Sequence, residues 1–296
     1  MSSSVGLEPL RPLRAARELL ELVKFEHSVF ALPFALVGML VAADGFPAPP
    51  ILVWLLVAMV SARSAAMAFN RIVDARLDAL NPRTAGRALP AGRLTMVHAW
   101  VFLLGMVGLF VLSTWFLNPL ALRLGPVALT LVMTYSYSKR FTWLSHLWLG
   151  AAIGVAPTAA WIAVTGSLAP GPVWLSAAVM WWIAGFDILY SLADEEFDRT
   201  HGLHSAPARF GATRAIAMSR CLHVLTVAML VGGGIALGLG IVYYVGIAVV
   251  AMALAYEQSL VKPDDLRRLN TAFFTANGFV SIALFVFVLA DWMVRR

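Results

Sequence analysis

Long runs of apolar residues alternate with short polar segments along almost the whole chain. A helix that crosses a membrane needs about 20 mostly apolar residues, and nine segments come close to that length. They are residues 25–43, 51–69, 97–117, 119–137, 144–164, 173–193, 221–236, 241–256 and 271–294. The breaks between them contain turn-forming residues, such as Asn118-Pro119 and Gly238-Leu239-Gly240. The pattern predicts an all-α membrane protein with about nine transmembrane helices.

The composition supports the same fold class. The chain is 60% hydrophobic and 13% charged, with a mean hydropathy of +0.81, whereas soluble domains average roughly 45–50% apolar and about 25% charged residues. We expect residues 1–24 to form a basic arm on the membrane surface and residues 25–296 to form one transmembrane domain. Cys221 is the single cysteine, which excludes an intramolecular disulfide.

The distribution of basic residues predicts the orientation. If the N-terminus is cytoplasmic and the nine spans alternate, 18 of the 22 Lys and Arg residues lie in cytoplasmic segments. Such an excess is the usual arrangement in membrane proteins. Nucleic-acid binding is the other interpretation of a net charge of +6, but the basic residues are spread over many loops and no nucleic-acid partner is expected.

Two acidic clusters follow the second and sixth predicted spans with identical spacing. In the first, Asn70, Asp74 and Asp78 recur every fourth residue, and in the second, Tyr190, Asp194 and Asp198 do the same. Corresponding aspartates are 120 residues apart (194 − 74 and 198 − 78). Four spans separate the clusters, so both helices point the same way, as in a parallel four-helix repeat. A solvated helix end is the alternative for either cluster alone.

This spacing places the acidic side chains on one face of a helix, one turn apart. Two facing rows of carboxylates repel each other unless a cation lies between them. Ligands that offer only oxygen suit Mg²⁺, which also takes oxygens from a substrate phosphate. The candidate metal ligands are therefore Asn70, Asp74, Asp78, Asp194 and Asp198.

Basic residues near the clusters are candidates for binding a diphosphate. Arg83 and Arg87 lie in a Pro- and Gly-rich loop after the first cluster, and Lys139 and Arg140 follow the fourth span. The planar guanidinium of an arginine can bind two phosphate oxygens at the same time. Ordinary cytoplasmic charge or anchoring at the membrane interface are the alternatives for these residues.

Three further residues are candidates for the chemistry itself. Asp187 lies seven residues before Asp194 on the same helical face, deeper in the membrane, where an ionisable group marks a functional site by default. Arg63 lies about two turns before Asn70 and would contact an acidic acceptor or pair with Asp187. Tyr190 would contribute an aromatic face. A structural hydrogen bond is the alternative for Asp187, and we favour loop structure or substrate binding over zinc for His201 and His204.

The combined motifs resemble those of the UbiA superfamily of intramembrane prenyltransferases. The resemblance rests on Asn-x-x-x-Asp-x-x-x-Asp from Asn70, Arg-Thr-x-x-Arg-x-Leu-Pro-x-Gly from Arg83, and Tyr-x-x-x-Asp-x-x-x-Asp from Tyr190. It implies a ring of nine helices around a central cavity, with Mg²⁺ and the diphosphate of a polyprenyl donor bound at the aspartates. The chain differs from the better-known 4-hydroxybenzoate enzymes at residues 24–33, where an Arg…Lys-Pro…Gly pattern is absent.

The resemblance implies transfer of a polyprenyl group to an aromatic acid in quinone biosynthesis. The acceptor that matches best is 4-hydroxybenzoate, and a dihydroxynaphthoate of menaquinone synthesis is the alternative. A secondary transporter remains a different class of function, because parallel repeats with intramembrane acids also occur there. The acidic residues, however, are predicted at one membrane face rather than at mid-depth. The sequence leaves the isoprenoid length and the oligomeric state open.

Overall fold

The computed structural model describes residues 18–19, 21–23, 28–263, 265–269 and 276–296, with backbone only for 28–31. Most of the predicted basic arm (1–24) lies outside the described residues. So do the starts of the first and last predicted spans and residues 24–27 of the 24–33 segment.

The described residues form helices joined by short loops, and their only β-type pairing is an isolated bridge between Lys262 and Asp265. The α-helices, in chain order, are α1 Ser28–Ala42, α2 Pro49–Leu80, α3 Met96–Leu117, α4 Pro119–Ser138, α5 Ser145–Gly154, α6 Ala156–Thr165, α7 Pro170–Ser191, α8 Glu195–Thr200, α9 Ala206–Phe210, α10 Ala212–Leu237, α11 Ile241–Leu260 and α12 Asn277–Arg295. A 3₁₀ turn, Leu192–Asp194, joins α7 to α8.

Eight of the predicted spans correspond to helical segments that are long and apolar enough to cross a membrane, within the described part of the chain. The first predicted span coincides with α1, of which 15 residues are described. The prediction of an all-α membrane fold is therefore confirmed. Asn118 explains one tight connection, because it ends α3 while its side chain accepts a hydrogen bond from Ala121 N (2.9 Å) and so caps α4.

Two helix boundaries differ from the prediction. Helix α2 continues eleven residues beyond the predicted end at residue 69. Its polar side chains are spaced four apart and share one face of the helix, so the helix continues after its apolar stretch has ended. The predicted span 144–164 is two helices, α5 and α6, separated at Val155. Pro157 follows the break, and its ring and missing N–H are incompatible with an uninterrupted helix.

Helix α7 forms the centre of the largest buried cluster. Its Trp182 and Ile183 are fully buried against side chains of α1, α10, α11 and α12. Glycines bring α5 very close to α7: a Cβ added to Gly154 would lie 2.8 Å from Ser176 O, and one added to Gly150 would overlap Met180 O. Helix α12 packs on both α11 and α1, so the last and first spans meet and the helices close into a ring.

Candidate active site

The first acidic stripe lies on the uninterrupted helix α2, as predicted. Asn70 Nδ2 donates a hydrogen bond to Asp74 Oδ2 over 2.8 Å, which shows directly that residues four apart share this face. Asp78, one turn further on, is buried. The backbone of α2 therefore sets the spacing of all three side chains.

The second stripe does not lie on one continuous α-helix, so that part of the prediction is wrong. Tyr190 belongs to the end of α7, Asp194 ends the 3₁₀ turn, and Asp198 lies in α8. A 3₁₀ turn has a tighter winding than an α-helix, so the angular register of a single helix is lost there. Asp194 and Asp198 are nevertheless both buried. Asp194 contacts the loop after α2, and Asp198 contacts the end of α4.

Each of the four aspartates pairs with a different basic residue. Arg140 lies 2.9 Å from Asp74 Oδ1, Arg87 lies 2.6 Å from Asp78 Oδ1, and Lys139 Nζ lies 2.8 Å from Asp198 Oδ2. Arg83 binds both oxygens of Asp194 through Nε (3.0 Å) and one terminal nitrogen. Each of the four basic candidates thus pairs with one of the four aspartates, and the eight formal charges sum to zero.

Some carboxylate oxygens remain without a hydrogen bond. Asp78 Oδ2 and both oxygens of Asp198 are buried and accept none, so Lys139 neutralises Asp198 without a directed hydrogen bond. A buried acceptor without a donor is costly unless a ligand or ion completes it. Among the described residues, no three His, Cys, Asp or Glu side chains gather as a metal-binding group, and each aspartate instead contacts its own basic partner.

These groups line a polar cavity of about 200 Å³. Its wall includes all five predicted metal ligands and all four predicted diphosphate-binding residues, together with Arg71, Asn81, Thr84, Ser136 and Phe197. The cavity lies where the ends of α2, α4 and α7–α8 converge. The size and the polar wall suit a small, strongly charged group.

The loop after α2 is held in place by its own side chains. Asn81 Nδ2 donates to Asp194 Oδ1 (3.3 Å), and Asn81 Oδ1 accepts from Arg83 N (2.9 Å). Thr84 Oγ1 donates to Asp78 O at the end of α2 (3.0 Å). Burial lowers the pKa of the Arg83 guanidinium, but hydrogen bonds and charge from Asp194 outweigh this and raise it. Arg83 therefore stays charged at any physiological pH.

Deeper in the membrane, Asp187 contacts a residue that sequence analysis missed. His146, on α5, lies with Nδ1 2.7 Å from Asp187 Oδ2, so Asp187 does not pair with Arg63. Arg63 has a buried Nε without a hydrogen-bond partner, and it makes no ion pair with any described residue. Tyr135 of α4 lies within electrostatic range of both Arg63 and Asp187. The signal for His146 was its position inside an apolar span, where ionisable residues are rare.

Tyr190 and the two loop histidines have distinct surroundings. The Tyr190 hydroxyl accepts from Arg83 over 3.2 Å, and the guanidinium carbon lies 5.4 Å from its ring centroid. His201 is exposed and stacks on Phe197. Neither His201 nor His204 belongs to a metal-binding group among the described residues.

The sequence matches the model of the UbiA prenyltransferase family over residues 31–282. It is 31% identical to a 4-hydroxybenzoate octaprenyltransferase of Saccharophagus degradans over 86% of this chain and 85% of that one. A second 4-hydroxybenzoate octaprenyltransferase, from Alkalilimnicola ehrlichii, is 33% identical over 86% of each chain. The apolar helices and these bacterial relatives indicate a multi-pass protein of the inner membrane.

Solved structures show the same fold. The apo structure of a UbiA homologue from Aeropyrum pernix K1 is similar with a TM-score of 0.82 and 35% identity, over 90% of this chain and 98% of that one. A UbiA homologue from Archaeoglobus fulgidus bound to DMAPP and Mg²⁺ has a TM-score of 0.71 at 18% identity, over 94% and 99% of the two chains. On the family match and on these relatives, the chain belongs to the UbiA prenyltransferase family.

Proposed function

We propose that this protein transfers a polyprenyl group from polyprenyl diphosphate to an aromatic acid, 4-hydroxybenzoate in the first instance, in a reaction that requires Mg²⁺. Curated relatives at about 30% identity carry the 4-hydroxybenzoate octaprenyltransferase name. The Archaeoglobus fulgidus homologue binds a prenyl diphosphate with Mg²⁺.

One observation carries the proposal: four acids and four bases are paired one to one around a polar cavity. A diphosphate with its cations can enter such a site by exchange of partners. The aspartates would hold the cations, and the basic side chains would hold the phosphate oxygens. Because both new sets of contacts are charge-assisted hydrogen bonds or metal–oxygen bonds, neither set of buried charges is left unpaired.

The residues present fit Mg²⁺ in their chemistry. The donors are carboxylate and amide oxygens from Asn70, Asp74, Asp78, Asp194 and Asp198, and two of these aspartates carry buried oxygens that accept no hydrogen bond. Oxygen donors of this kind favour Mg²⁺ over zinc. When bound, Mg²⁺ would neutralise negative charge that develops on the departing diphosphate.

The basic residues act on the same charge. Arg83, Arg87, Lys139 and Arg140 hold the diphosphate at the cavity and stabilise it as it leaves, which is electrostatic stabilisation of the transition state. Loss of diphosphate leaves an allylic cation at the end of the isoprenoid chain. The Tyr190 ring lies beside Arg83, which lines the cavity, and would stabilise that cation by about 1 to 2 kcal/mol in a site without water.

Arg63 and Asp187 are suited to the aromatic acceptor. Arg63 Nε is buried without a hydrogen-bond partner, and a carboxylate of the acceptor would form a charge-assisted hydrogen bond with it. Asp187 would then orient the phenol or accept its proton as the ring carbon attacks the cation. Both residues lie deeper in the membrane than the aspartate stripes, Arg63 on α2 and Asp187 on α7.

We further propose that the N-terminus and the active site face the cytoplasm. The support is the excess of basic residues in the N-terminal arm and in the segments between spans that carry Arg83, Lys139 and Arg209. Water-soluble acceptors would then enter from the cytoplasmic side.

The decisive experiment supplies purified protein in lipid with a labelled polyprenyl diphosphate and one acceptor at a time. We expect prenylated 4-hydroxybenzoate and released diphosphate, no product after EDTA treatment, and recovery with Mg²⁺. Product with dihydroxynaphthoate alone would move the function to menaquinone synthesis. Diphosphate release without any acceptor, or no turnover of the donor, would refute the proposal.

A further inference from the structure

His146 is the centre of a hydrogen-bonded bridge between two parts of the molecule. Its side chain is 4% exposed. Nε2 accepts a hydrogen bond from the backbone N–H of Ala206 over 3.0 Å, and Nδ1 lies 2.7 Å from Asp187 Oδ2. A neutral imidazole carries one proton. Because Nε2 acts as an acceptor, the proton is on Nδ1, which donates to Asp187.

The backbone that supplies the Ala206 N–H is fixed to the charged cavity. In the 203–206 loop, Leu203 N donates to Asp198 O (2.8 Å) and His204 N donates to Lys139 O (2.7 Å). Ser145, next to His146, donates from Oγ to His204 O over 3.3 Å. The loop thus connects the Asp198–Lys139 ion pair at one end to His146 at the other.

The hydrogen bond from His146 orients the Asp187 carboxylate. His146 binds one carboxylate oxygen, and no described residue donates a hydrogen bond to the other, Oδ1, while the side chain remains 26% exposed. One oxygen is therefore fixed, and the other is left to accept a hydrogen bond from a bound molecule. A hydrogen bond to one ring nitrogen of a histidine fixes its tautomer. The other ring nitrogen can then orient a carboxylate, which is a common way to position a reactive group.

We propose that His146 is a positioning residue that aims Asp187 at the aromatic acceptor, and that the 203–206 loop, which is attached to the Asp198–Lys139 pair, holds His146 in the required tautomer and place. This inference rests on the proposed function. Through the 203–206 loop, His146 is attached to the backbone of the Asp198–Lys139 pair.

Three substitutions separate the two hydrogen bonds of His146. His146→Ala removes both, and we expect turnover to fall roughly 10- to 100-fold, the effect of losing one hydrogen bond to a charged group, with an unchanged donor dissociation constant. His146→Asn keeps a donor near the Nδ1 position and should recover part of the turnover. His146→Gln keeps an acceptor near the Nε2 position and should hold the loop while turnover stays low. His98→Asn, at an exposed site on α3, is the matched control.

A double-mutant cycle with Asp187→Asn tests whether His146 acts through Asp187. If it does, His146→Ala adds little further loss of turnover to the Asp187→Asn variant, whereas independent roles would multiply. Wild-type turnover in His146→Ala, full multiplication in the cycle, or a rate loss equal to the loss of folded protein would overturn the inference.

Hydrogen exchange gives a readout that does not need activity. Amides of the 203–206 loop should exchange faster in His146→Ala than in wild type, with His146→Gln close to wild type. Unchanged exchange in His146→Ala would contradict the bridge even if no acceptor were prenylated. A wild-type protein that prenylates no aromatic acid, with the exchange result as expected, would instead refute the proposed function and leave the bridge in place.

Discussion

At the scale of single residues, Asp194 accepts more side-chain hydrogen bonds than the other three site aspartates. Arg83 binds both of its oxygens and Asn81 donates to one of them. Asp194→Asn keeps the shape but removes the charge that holds Arg83 and would bind a cation. We expect prenyl transfer at saturating Mg²⁺ to fall by at least about 100-fold, the usual effect of losing one electrostatic group of an active site.

The control for Asp194→Asn is Glu196→Gln, two residues further along and exposed. It also removes one carboxylate charge, but outside the cavity, and should keep wild-type turnover. Asp194→Asn protein that is folded and retains more than half of the wild-type rate would remove Asp194 from the proposed chemistry.

Arg63 tests the acceptor site rather than the donor site. Arg63→Gln should raise the KM for the aromatic acid roughly 10- to 100-fold, since a charge-assisted hydrogen bond contributes about 1.5 to 3 kcal/mol. The donor dissociation constant should not change. Melting should be unchanged or higher, because the substitution removes a half-buried charge that has no partner among the described residues.

Arg76→Gln, on the exposed part of α2, is the matched control for Arg63→Gln. An equal rise in acceptor KM in both variants would show a general effect of net charge. An unchanged KM in Arg63→Gln would exclude Arg63 as the binding partner of the acceptor carboxylate.

At the scale of helices, the close contact of α5 with α7 places His146 beside Asp187. Gly150 lies one turn after His146, and a Cβ there would overlap the Met180 carbonyl of α7. Gly150→Ala should therefore force the helices apart and lower the free energy of unfolding by about 1 to 3 kcal/mol, as other overpacked cores do. The measurements are the melting temperature and the turnover of the purified variant.

The α3 helix offers the control for Gly150→Ala. Gly105 has open space around its Cα, and alanine favours a helix over glycine by roughly 1 kcal/mol. Gly105→Ala should be neutral or slightly stabilising and fully active. If Gly150→Ala were as stable and active as Gly105→Ala, the close contact would not be what sets the position of His146.

At the scale of the whole molecule, the orientation in the membrane can be tested by cysteine labelling. In a Cys221→Ser background, Ala91→Cys lies at an exposed position in the loop after α2, and His201→Cys lies at an exposed position after α8. Ser167→Cys lies in the exposed loop between α6 and α7. A membrane-impermeant reagent added outside intact cells should label only the Ser167→Cys variant. Labelling of Ala91→Cys or His201→Cys from outside would reverse the proposed orientation and the side of the active site.

Much of the fold was predictable from the sequence because few backbone conformations are stable inside a lipid bilayer. A backbone in hydrocarbon must satisfy its own hydrogen bonds, so apolar length alone identified the spans and the all-α fold. The i, i+4 spacing of Asn70, Asp74 and Asp78 identified a common helical face, since α2 is regular there. The same rule erred at Tyr190, Asp194 and Asp198, because a 3₁₀ turn changes the winding between them.

What the sequence determined by itself was therefore the set of charged groups. Four aspartates and four basic residues lie at helix ends and in loops, and Asp187 and Arg63 lie within spans, where an ionisable group is costly without a function. Only the tertiary structure decided their partners. Lys139 meets Asp198 and Arg83 meets Asp194 across more than 50 residues of chain, and His146 rather than Arg63 meets Asp187. Local spacing cannot encode such pairs, because they depend on how closely α5 packs on α7 and on where the loops after α2 and α8 are attached.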